Sequence, residues 1–350
     1  MKAKKYLILS LVLLASLISA CSGNLATINL LVNNSIAQKN SQVAEYNVEN
    51  IPLLGDLANR NSEISGLAWY KDYLILLPQY PNFARNGSFL YAIAKKDIRE
   101  FLDNTDIKAL EPIKIPIDLK SLAKDIDGYE GFEAIAFSDN NIYLNIEANT
   151  KNGMRSYLLA GTIAEDLSGI ILNTNKLTEI VPPVNLRNQS DEAILIVDNK
   201  IISIFEANGK DVNSKPEAHE FATDLEILQT TEFPRVEYRI TDSTQIDENN
   251  RFWVINYFYP GDTDLYSDNE PIAAQFGQGA SHSKNEQVER LLELEYKDGQ
   301  IILSGSSPIQ LELMADVARN WEGIVRLDDK GFLLATDKYP ETILGFVAIK

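Results

Sequence analysis

A pattern that recurs five times is the feature that most constrains how this chain can fold. Each copy has an acidic residue, an apolar run of strand length, a polar turn such as Asp139-Asn140-Asn141, and a second apolar run. Asparagine, aspartate and glycine readily adopt the left-handed conformations of tight turns, so each copy predicts a β-hairpin. The copies begin at Glu63, Glu133, Glu192, Asp242 and Glu322.

Two recurring spacings support this alignment. Glu133 and Glu192 are each followed fourteen residues later by Glu-Ala-Asn, at 147–149 and 206–208. The other three copies are each followed seventeen residues later by Tyr-Pro, at 80–81, 259–260 and 339–340. Matched spacings in separate copies indicate repeats of one structural unit.

Further apolar runs separate the hairpins, so each repeat contains about four strands, the content of one propeller blade. The starting acids are 70, 59, 50 and 80 residues apart, which gives five readable blades and leaves room for a sixth in the longest interval. Residues 43–54 could supply the strand that the last copy lacks and close the ring. We therefore predict an all-β fold over residues 43–350, a β-propeller with five or six four-stranded blades. Lys95–Asp103 is the one short helix predicted.

The N-terminus has the pattern of an exported lipoprotein. Three lysines precede a largely apolar stretch of fifteen residues, Tyr6 to Ala20, which is too short for a membrane span and typical of a signal peptide. The following Cys21 completes Leu-Ile-Ser-Ala-Cys, which resembles the bacterial lipobox, where the cysteine is lipidated and becomes the new N-terminus. We predict a lipoprotein signal peptide at 1–20, lipidation of Cys21 and a flexible tether over 21–42. The alternative is an ordinary signal peptide with an unrelated cysteine.

These predictions place the protein outside the cytoplasm, anchored in the cell envelope through the Cys21 lipid. Ser22 follows the cysteine, which favours the outer membrane if the host is Gram-negative. The lipid is then the predicted contact with the membrane.

Composition excludes several classes of site and partner. With one cysteine and two histidines, the chain has no intrachain disulfide, no remaining cysteine nucleophile and no histidine-rich metal site. Removing the three lysines of the signal peptide leaves 29 basic and 50 acidic residues, a net charge of 29 − 50 = −21. Such a charge repels nucleic acid and favours cations, so we predict no nucleic-acid partner.

Four short motifs resemble those of one family. They are Glu-Ile-Ser-Gly-Leu-Ala (63–68), Gly-Phe-Glu-Ala-Ile-Ala (131–136), Tyr-Arg-Ile-Thr-Asp (238–242) and Asn-Trp-Glu-Gly-Ile-Val (320–325). They resemble the phytase-like propellers, the family named for an esterase-like activity of phytase, from about Glu63 to the C-terminus. The resemblance implies a propeller fold and an exported or envelope location, and the family name suggests an esterase activity.

The repeated acids predict a cation site. The first strand of a propeller blade lines the central channel, so an acid at its start puts one carboxylate per blade near one mouth, and the returning strand ends at the same mouth. The predicted ligands are Glu63, Glu133, Glu147, Glu192, Glu206, Asp242, Asn256 and Glu322. Converging oxygen atoms suit a hard cation, and calcium (Ca2+) is the predicted cofactor.

On two of the returning strands, the place equivalent to Glu147 is expected to lack a carboxylate or amide oxygen. Asp337 follows Glu322 by fifteen residues rather than fourteen, which puts Thr336 in the equivalent place. Leu77 holds the corresponding place after Glu63.

Nearby arginines allow two other interpretations of the repeated acids. Arg60, Arg239 and Arg319 each precede their acid by three residues, so local ion pairs could account for the pattern. The same arginines could instead recognise an anion such as phosphate.

Two functions remain open from the sequence. The first is a cation-dependent hydrolase of small, anionic esters or phosphoesters, in which a metal-bound water attacks the substrate. The second is a non-catalytic lipoprotein whose propeller binds a protein, a glycan or a small ligand. The sequence contains no Gly-x-Ser-x-Gly elbow, Walker loop or dinucleotide fingerprint, so catalytic residues are not assigned.

Overall fold

The structure is a computed structural model that describes residues 43–104, 106–119, 122–315 and 317–349. The predicted signal peptide, the lipidation site Cys21 and the predicted tether lie outside the described residues. Two short strands lead into the propeller, β1 (Glu45–Tyr46) and β2 (Glu49–Asn50).

Each predicted hairpin forms the first two strands of a blade. The first blade comprises β3 (Ile64–Tyr70), β4 (Tyr73–Pro78), β5 (Phe89–Ala94), helix α1 (Lys95–Asp103) and β6 (Ile113–Asp118). The second follows helix α2 (Leu122–Asp125) and comprises β7 (Tyr129–Ser138), β8 (Asn141–Thr150), β9 (Gly153–Ile163) and β10 (Ile170–Ile180). The third comprises β11 (Asp191–Val197), β12 (Lys200–Phe205), β13 (Glu217–Ala222) and β14 (Ile227–Glu232).

The fourth blade carries the longest insertion. The fourth comprises β15 (Arg239–Ser243), β16 (Arg251–Phe258), helix α3 (Pro271–Phe276), β17 (Val288–Lys297), β18 (Gln300–Leu303) and β19 (Ile309–Leu311). The fifth comprises β20 (Trp321–Leu327), β21 (Gly331–Thr336) and β22 (Leu344–Ala348). The all-β propeller is confirmed, with five blades; helix α1 is where it was predicted, whereas α2 and α3 were not predicted.

The N-terminal segment closes the ring. Strand β2 pairs antiparallel with β22, joining Glu49 to Phe346 and Asn50 to Gly345, so the fifth blade takes its fourth strand from the start of the described chain. Strand β1 adds in parallel to β19 of the fourth blade. The predicted role of residues 43–54 is therefore confirmed.

Apolar side chains hold each blade against the next. One buried cluster lies between every successive pair of blades. The cluster between the fifth and the first blade contains Val325 of the fifth and Leu67 of the first. The first strands are buried on both faces because they lie between two neighbouring blades. Because apolar side chains fill the spaces between the blades, a central site is expected at the open end of the ring of first strands. No helix among the described residues is long and apolar enough to cross a membrane.

Candidate functional site

A β-bulge in every first strand decides which side chain faces the centre. A bulge adds one unpaired residue and turns its side chain out of the regular alternation. The register shifts at equivalent places in the five strands, and the extra residues are Ser65, Glu133, Glu192, the pair Thr241-Asp242, and Glu322.

The alignment of the first copy was therefore wrong by two residues. Ser65, and not Glu63, lies where Glu133 and Glu322 lie in their blades. Glu63 still reaches the centre, because it precedes β3 in a left-handed conformation with φ 42°. Its carboxylate is 3.1 Å from the Nζ atom of Lys338.

The second strands supply another set of equivalent residues. Pairing of Phe132 with Ile146 and of Trp321 with Thr336 makes the next residues, Glu147 and Asp337, equivalent. By the same register the full set is Gln79, Glu147, Glu206, Tyr257 and Asp337.

The expectation that Asp337 is out of register was therefore wrong. Leu77 and Thr336 had been assigned to the equivalent places in the first and fifth blades, which Gln79 and Asp337 hold instead. The fifth hairpin has a three-residue turn between the paired residues Leu327 and Gly331, whereas the second has a two-residue turn between Ser138 and Asn141. The extra turn residue accounts for the spacing of fifteen.

Seven members of these two sets line a central cavity of about 760 Å³: Gln79, Glu133, Glu147, Glu192, Tyr257, Glu322 and Asp337. Its lining includes eight acidic residues, Glu63, Glu130, Glu133, Glu147, Glu192, Asp262, Glu322 and Asp337. Five of them were predicted as site residues, and Glu130, Asp262 and Asp337 were not. The basic residues of the lining are Arg239 and Lys338.

The other three predicted residues do not line this cavity. Glu206 is fully buried beside it and binds Arg239. Asp242 accepts hydrogen bonds from the backbone N–H groups of Ser243 and Ile324, both at 2.8 Å. Asn256 is also saturated: its amide donates to two carbonyl groups of the preceding loop and strand, and its oxygen accepts from the Arg290 Nε atom at 2.8 Å. Neither Asp242 nor Asn256 offers an oxygen to the cavity.

Arg239 joins two carboxylates from different blades. Its Nη1 atom lies 2.8 Å from Glu206, and its Nε and Nη2 atoms donate to the two oxygens of Asp262 at 2.8 and 3.2 Å. Burial lowers the pKa of Arg239, but Glu206 and Asp262 outweigh it and raise that pKa well above its usual value. Arg239 is therefore a fixed cation that is already neutralised by its two partners.

The local ion pairs suggested by the sequence are absent for two arginines of the described chain. Arg239 pairs with Glu206 and Asp262 rather than Asp242. Arg319 pairs with Glu289, with Nε 2.8 Å from Oε2, rather than Glu322. The acids at the cavity are thus left without the cations nearest to them in sequence.

Burial raises the pKa of these acids. It is the main cause that raises the pKa of Glu133, Glu192 and Glu322 well above the ordinary value, and neighbouring carboxylates add to it. Burial, followed by the charge of Glu206, raises the pKa of Glu147 to about 8. Near neutral pH the Glu147 carboxyl group is therefore available as a proton donor.

Exposed tyrosines form the rim. Tyr80, Tyr259 and Tyr339 come from the three Tyr-Pro motifs, line the cavity and are 37%, 51% and 52% exposed. Tyr80 packs edge-on against Tyr129, and Tyr339 lies under the guanidinium of Arg60 at 5.1 Å. Aromatic side chains held at a cavity mouth give a small organic ligand apolar faces to rest on.

The donor chemistry of the cavity fits calcium, but its geometry is not that of a preformed metal site. Within the described ranges, no group of three or more Asp, Glu, His or Cys side chains is arranged to hold a metal ion. A cation bound here would have to draw the carboxylates together or keep water ligands. Calcium binding stays a prediction.

No protein-family model matches the sequence, and no curated protein is similar to it. Several solved structures resemble this chain distantly. A GH43 endo-arabinanase from Bacillus licheniformis has a TM-score of 0.44 and 8% identity, over 85% of this chain and 96% of that chain. A GH62 α-L-arabinofuranosidase catalytic domain from Coprinopsis cinerea has a TM-score of 0.46 and 8% identity, over 87% and 97%. A sucrose-6-phosphate hydrolase from Lactobacillus gasseri has a TM-score of 0.47 and 13% identity, over 90% and 63%. At these values the similarity says nothing about reaction or substrate.

Proposed function

We propose that this chain is a lipid-anchored envelope hydrolase that cleaves a small neutral ester or glycosidic bond by proton transfer from its own carboxyl groups. The observation that carries the proposal is the pairing of two kinds of carboxyl group in one cavity. Burial raises the pKa of Glu147 to about 8, whereas both oxygens of Asp262 accept hydrogen bonds from Arg239.

Such a pair supplies both halves of an acid–base hydrolysis. Glu147 donates its proton to the leaving-group oxygen, and Asp262 takes a proton from the attacking water. Different surroundings, burial for Glu147 and an arginine partner for Asp262, can give two carboxyl groups of one site different roles. After product release, the two groups exchange protons with water and the cycle repeats.

The charge of the cavity favours a neutral substrate. The lining has eight acidic residues and two basic ones, and both basic residues are bound to carboxylates. A phosphoester anion would find no free cation, because Arg239 and Lys338 are both paired with carboxyl groups. A ligand with several hydroxyl groups instead finds carboxylate acceptors and the tyrosine faces of the rim.

The excess of acidic residues favours a second candidate, the cation-dependent hydrolase of esters or phosphoesters. A bound cation such as calcium would neutralise the carboxylates and polarise an ester or phosphoryl oxygen. The two candidates differ in whether activity needs a metal ion.

We expect the purified chain to release chromophore from a neutral ester or glycoside in a panel that also contains phosphoesters. Turnover should be unchanged by a chelator, because the proton transfers use side chains only. Phosphoester turnover that is lost with chelator and restored by calcium would support the second candidate instead. A panel with no turnover in either condition would contradict both and favour a non-catalytic binding protein.

The lipid anchor has its own test. Cys21→Ser removes the thiol that would be acylated, so we expect an unprocessed precursor or a soluble secreted form in a bacterial host. Membrane fractionation and labelling with a fatty-acid precursor measure this. A mutant that still takes up the label and fractionates as wild type does would contradict the lipoprotein assignment.

A further inference from the structure

A buried polar spot interrupts the apolar interface between the second and third blades. It consists of Asn145 on β8, Asp191 on β11, Ser203 on β12 and His219 on β13. The first three are 0%, 1% and 0% exposed, and the His219 side chain is 19% exposed. The spot lies outside the lining of the central cavity, although Asp191 directly precedes the cavity residue Glu192.

Most of the polar atoms that could bind something here have no hydrogen-bond partner. They are Asn145 Oδ1, both carboxylate oxygens of Asp191 and His219 Nδ1. These are four of the eight such buried atoms in the described part of the chain. A buried carboxylate without partners is strongly destabilising unless a proton, a cation or water compensates.

The surrounding protein supplies only part of that compensation. Asn145 Nδ2 donates to the Asp191 backbone oxygen at 3.0 Å and to Ser203 Oγ at 2.9 Å, which fixes its amide and leaves Oδ1 unpaired. Burial raises the pKa of Asp191, although His219 and Ser203 lie close enough to oppose it. The acceptors of the site therefore outnumber its donors, which are the Ser203 hydroxyl and the imidazole.

The spacing of the two ionisable groups suits a metal ion. Asp191 Oδ2 lies 3.9 Å from His219 Nδ1. Two bonds of about 2.0–2.2 Å from one ion reach across such a gap. An imidazole nitrogen together with carboxylate and amide oxygens suits a first-row transition metal, whereas calcium takes oxygen ligands only.

We propose that Asp191 and His219, with Asn145 Oδ1, bind one divalent first-row transition metal ion of the zinc type between the second and third blades. The ion joins two strands of the third blade to a strand of the second and so ties the blades together. Water entering beside the partly exposed imidazole would complete its coordination.

The other histidine does not compete for such an ion. His282 Nδ1 lies 2.9 Å from Glu45, and its Nε2 lies 3.2 Å from the backbone oxygen of Glu289. Both of its ring nitrogens are therefore engaged, which leaves His219 as the histidine with an unpaired nitrogen.

The test is titration of the chelator-treated, purified chain with zinc chloride, followed by calorimetry and thermal melting. We expect one ion per chain and a rise of a few degrees in melting temperature, because zinc binds the folded state. Asp191→Asn and His219→Gln should each weaken binding at least tenfold. Asp198→Asn, which changes an exposed carboxylate in the β11–β12 turn of the same blade, should leave binding unchanged.

Absorption of the cobalt(II)-loaded chain gives a second measurement, since the visible bands report nitrogen and oxygen ligands and should be lost in His219→Gln. If Asp191→Asn does not fold, His219→Gln decides, because it removes the nitrogen ligand at the partly exposed side of the site and keeps the buried carboxyl group. A wild-type chain that takes up no zinc would overturn the proposal. So would folded variants that bind zinc as tightly as wild type does.

Discussion

Replacing Arg239 with methionine is expected to lower the free energy of unfolding by about 3–5 kcal/mol at pH 7, because it leaves a buried carboxylate without its cation. Glu206 is fully buried and lies 2.8 Å from the guanidinium. Methionine keeps much of the packing volume of arginine and removes the charge. Chemical denaturation of the purified variant and wild type measures the difference.

The loss should depend on pH in a defined direction. Burial, despite the opposing charge of Arg239, already raises the pKa of Glu206 above its ordinary value. Without Arg239 that pKa rises further, so the folded variant binds a proton more tightly than the unfolded chain does. The defect should then be smallest below the unfolded pKa and should grow as pH rises through the folded pKa. Unfolding at pH 5 and pH 8 distinguishes this from a simple packing defect.

Two variants control the interpretation. Arg239→Met combined with Glu206→Gln should recover most of the lost stability, because the uncompensated charge is gone. Arg251→Met breaks an ion pair with Glu293 at 3.5 Å in which the arginine is 44% exposed, and it should cost less than about 1 kcal/mol. A double variant as unstable as Arg239→Met would show that the arginine acts through packing rather than charge.

The five blades could be predicted from the sequence because the hairpins repeat, and a repeat fixes an architecture before any contact is known. The bulges could not. A bulge shifts the side-chain alternation by one residue without a sequence signature, and the first copy was therefore aligned on Glu63 rather than Ser65. Counting back from the two-residue turn Lys71-Asp72 would have found Ser65, since this turn matches that of the second copy.

The same reasoning explains how Asp337 was missed and Asn256 chosen. Fixed spacings assume equal turns, and the fifth hairpin has one more turn residue than the second. Long-range partners are less accessible still. Arg239 binds Glu206 of the preceding blade, and Asp191 and His219 lie close together although β12 separates their strands in the third blade. Such contacts depend on strand order and blade packing, which the local sequence pattern does not contain.

Glu147→Gln is expected to lower kcat/KM for the neutral substrate by about 10²–10⁴-fold, because glutamine keeps the shape of the side chain and removes the transferable proton. Glu147 lines the cavity and is only 4% exposed. Its loss should change kcat more than KM, since the proton moves in the transition state and not on binding. Glu147→Asp retains a carboxyl group and should restore part of the activity.

The pH profile separates a proton donor from a residue that only shapes the cavity. Burial, followed by Glu206, raises the pKa of Glu147 to about 8, so wild-type activity should fall as pH rises through that value and the acid form is lost. The same raised pKa means that the stability contributed by protonated Glu147 is present below its unfolded pKa and declines as pH rises toward 8. In Glu147→Gln the residual activity should lose this alkaline limb, and melting temperature should depend less on pH. A variant that keeps both the rate and the alkaline limb would remove Glu147 as the acid and leave the carboxyl mechanism without its proton donor.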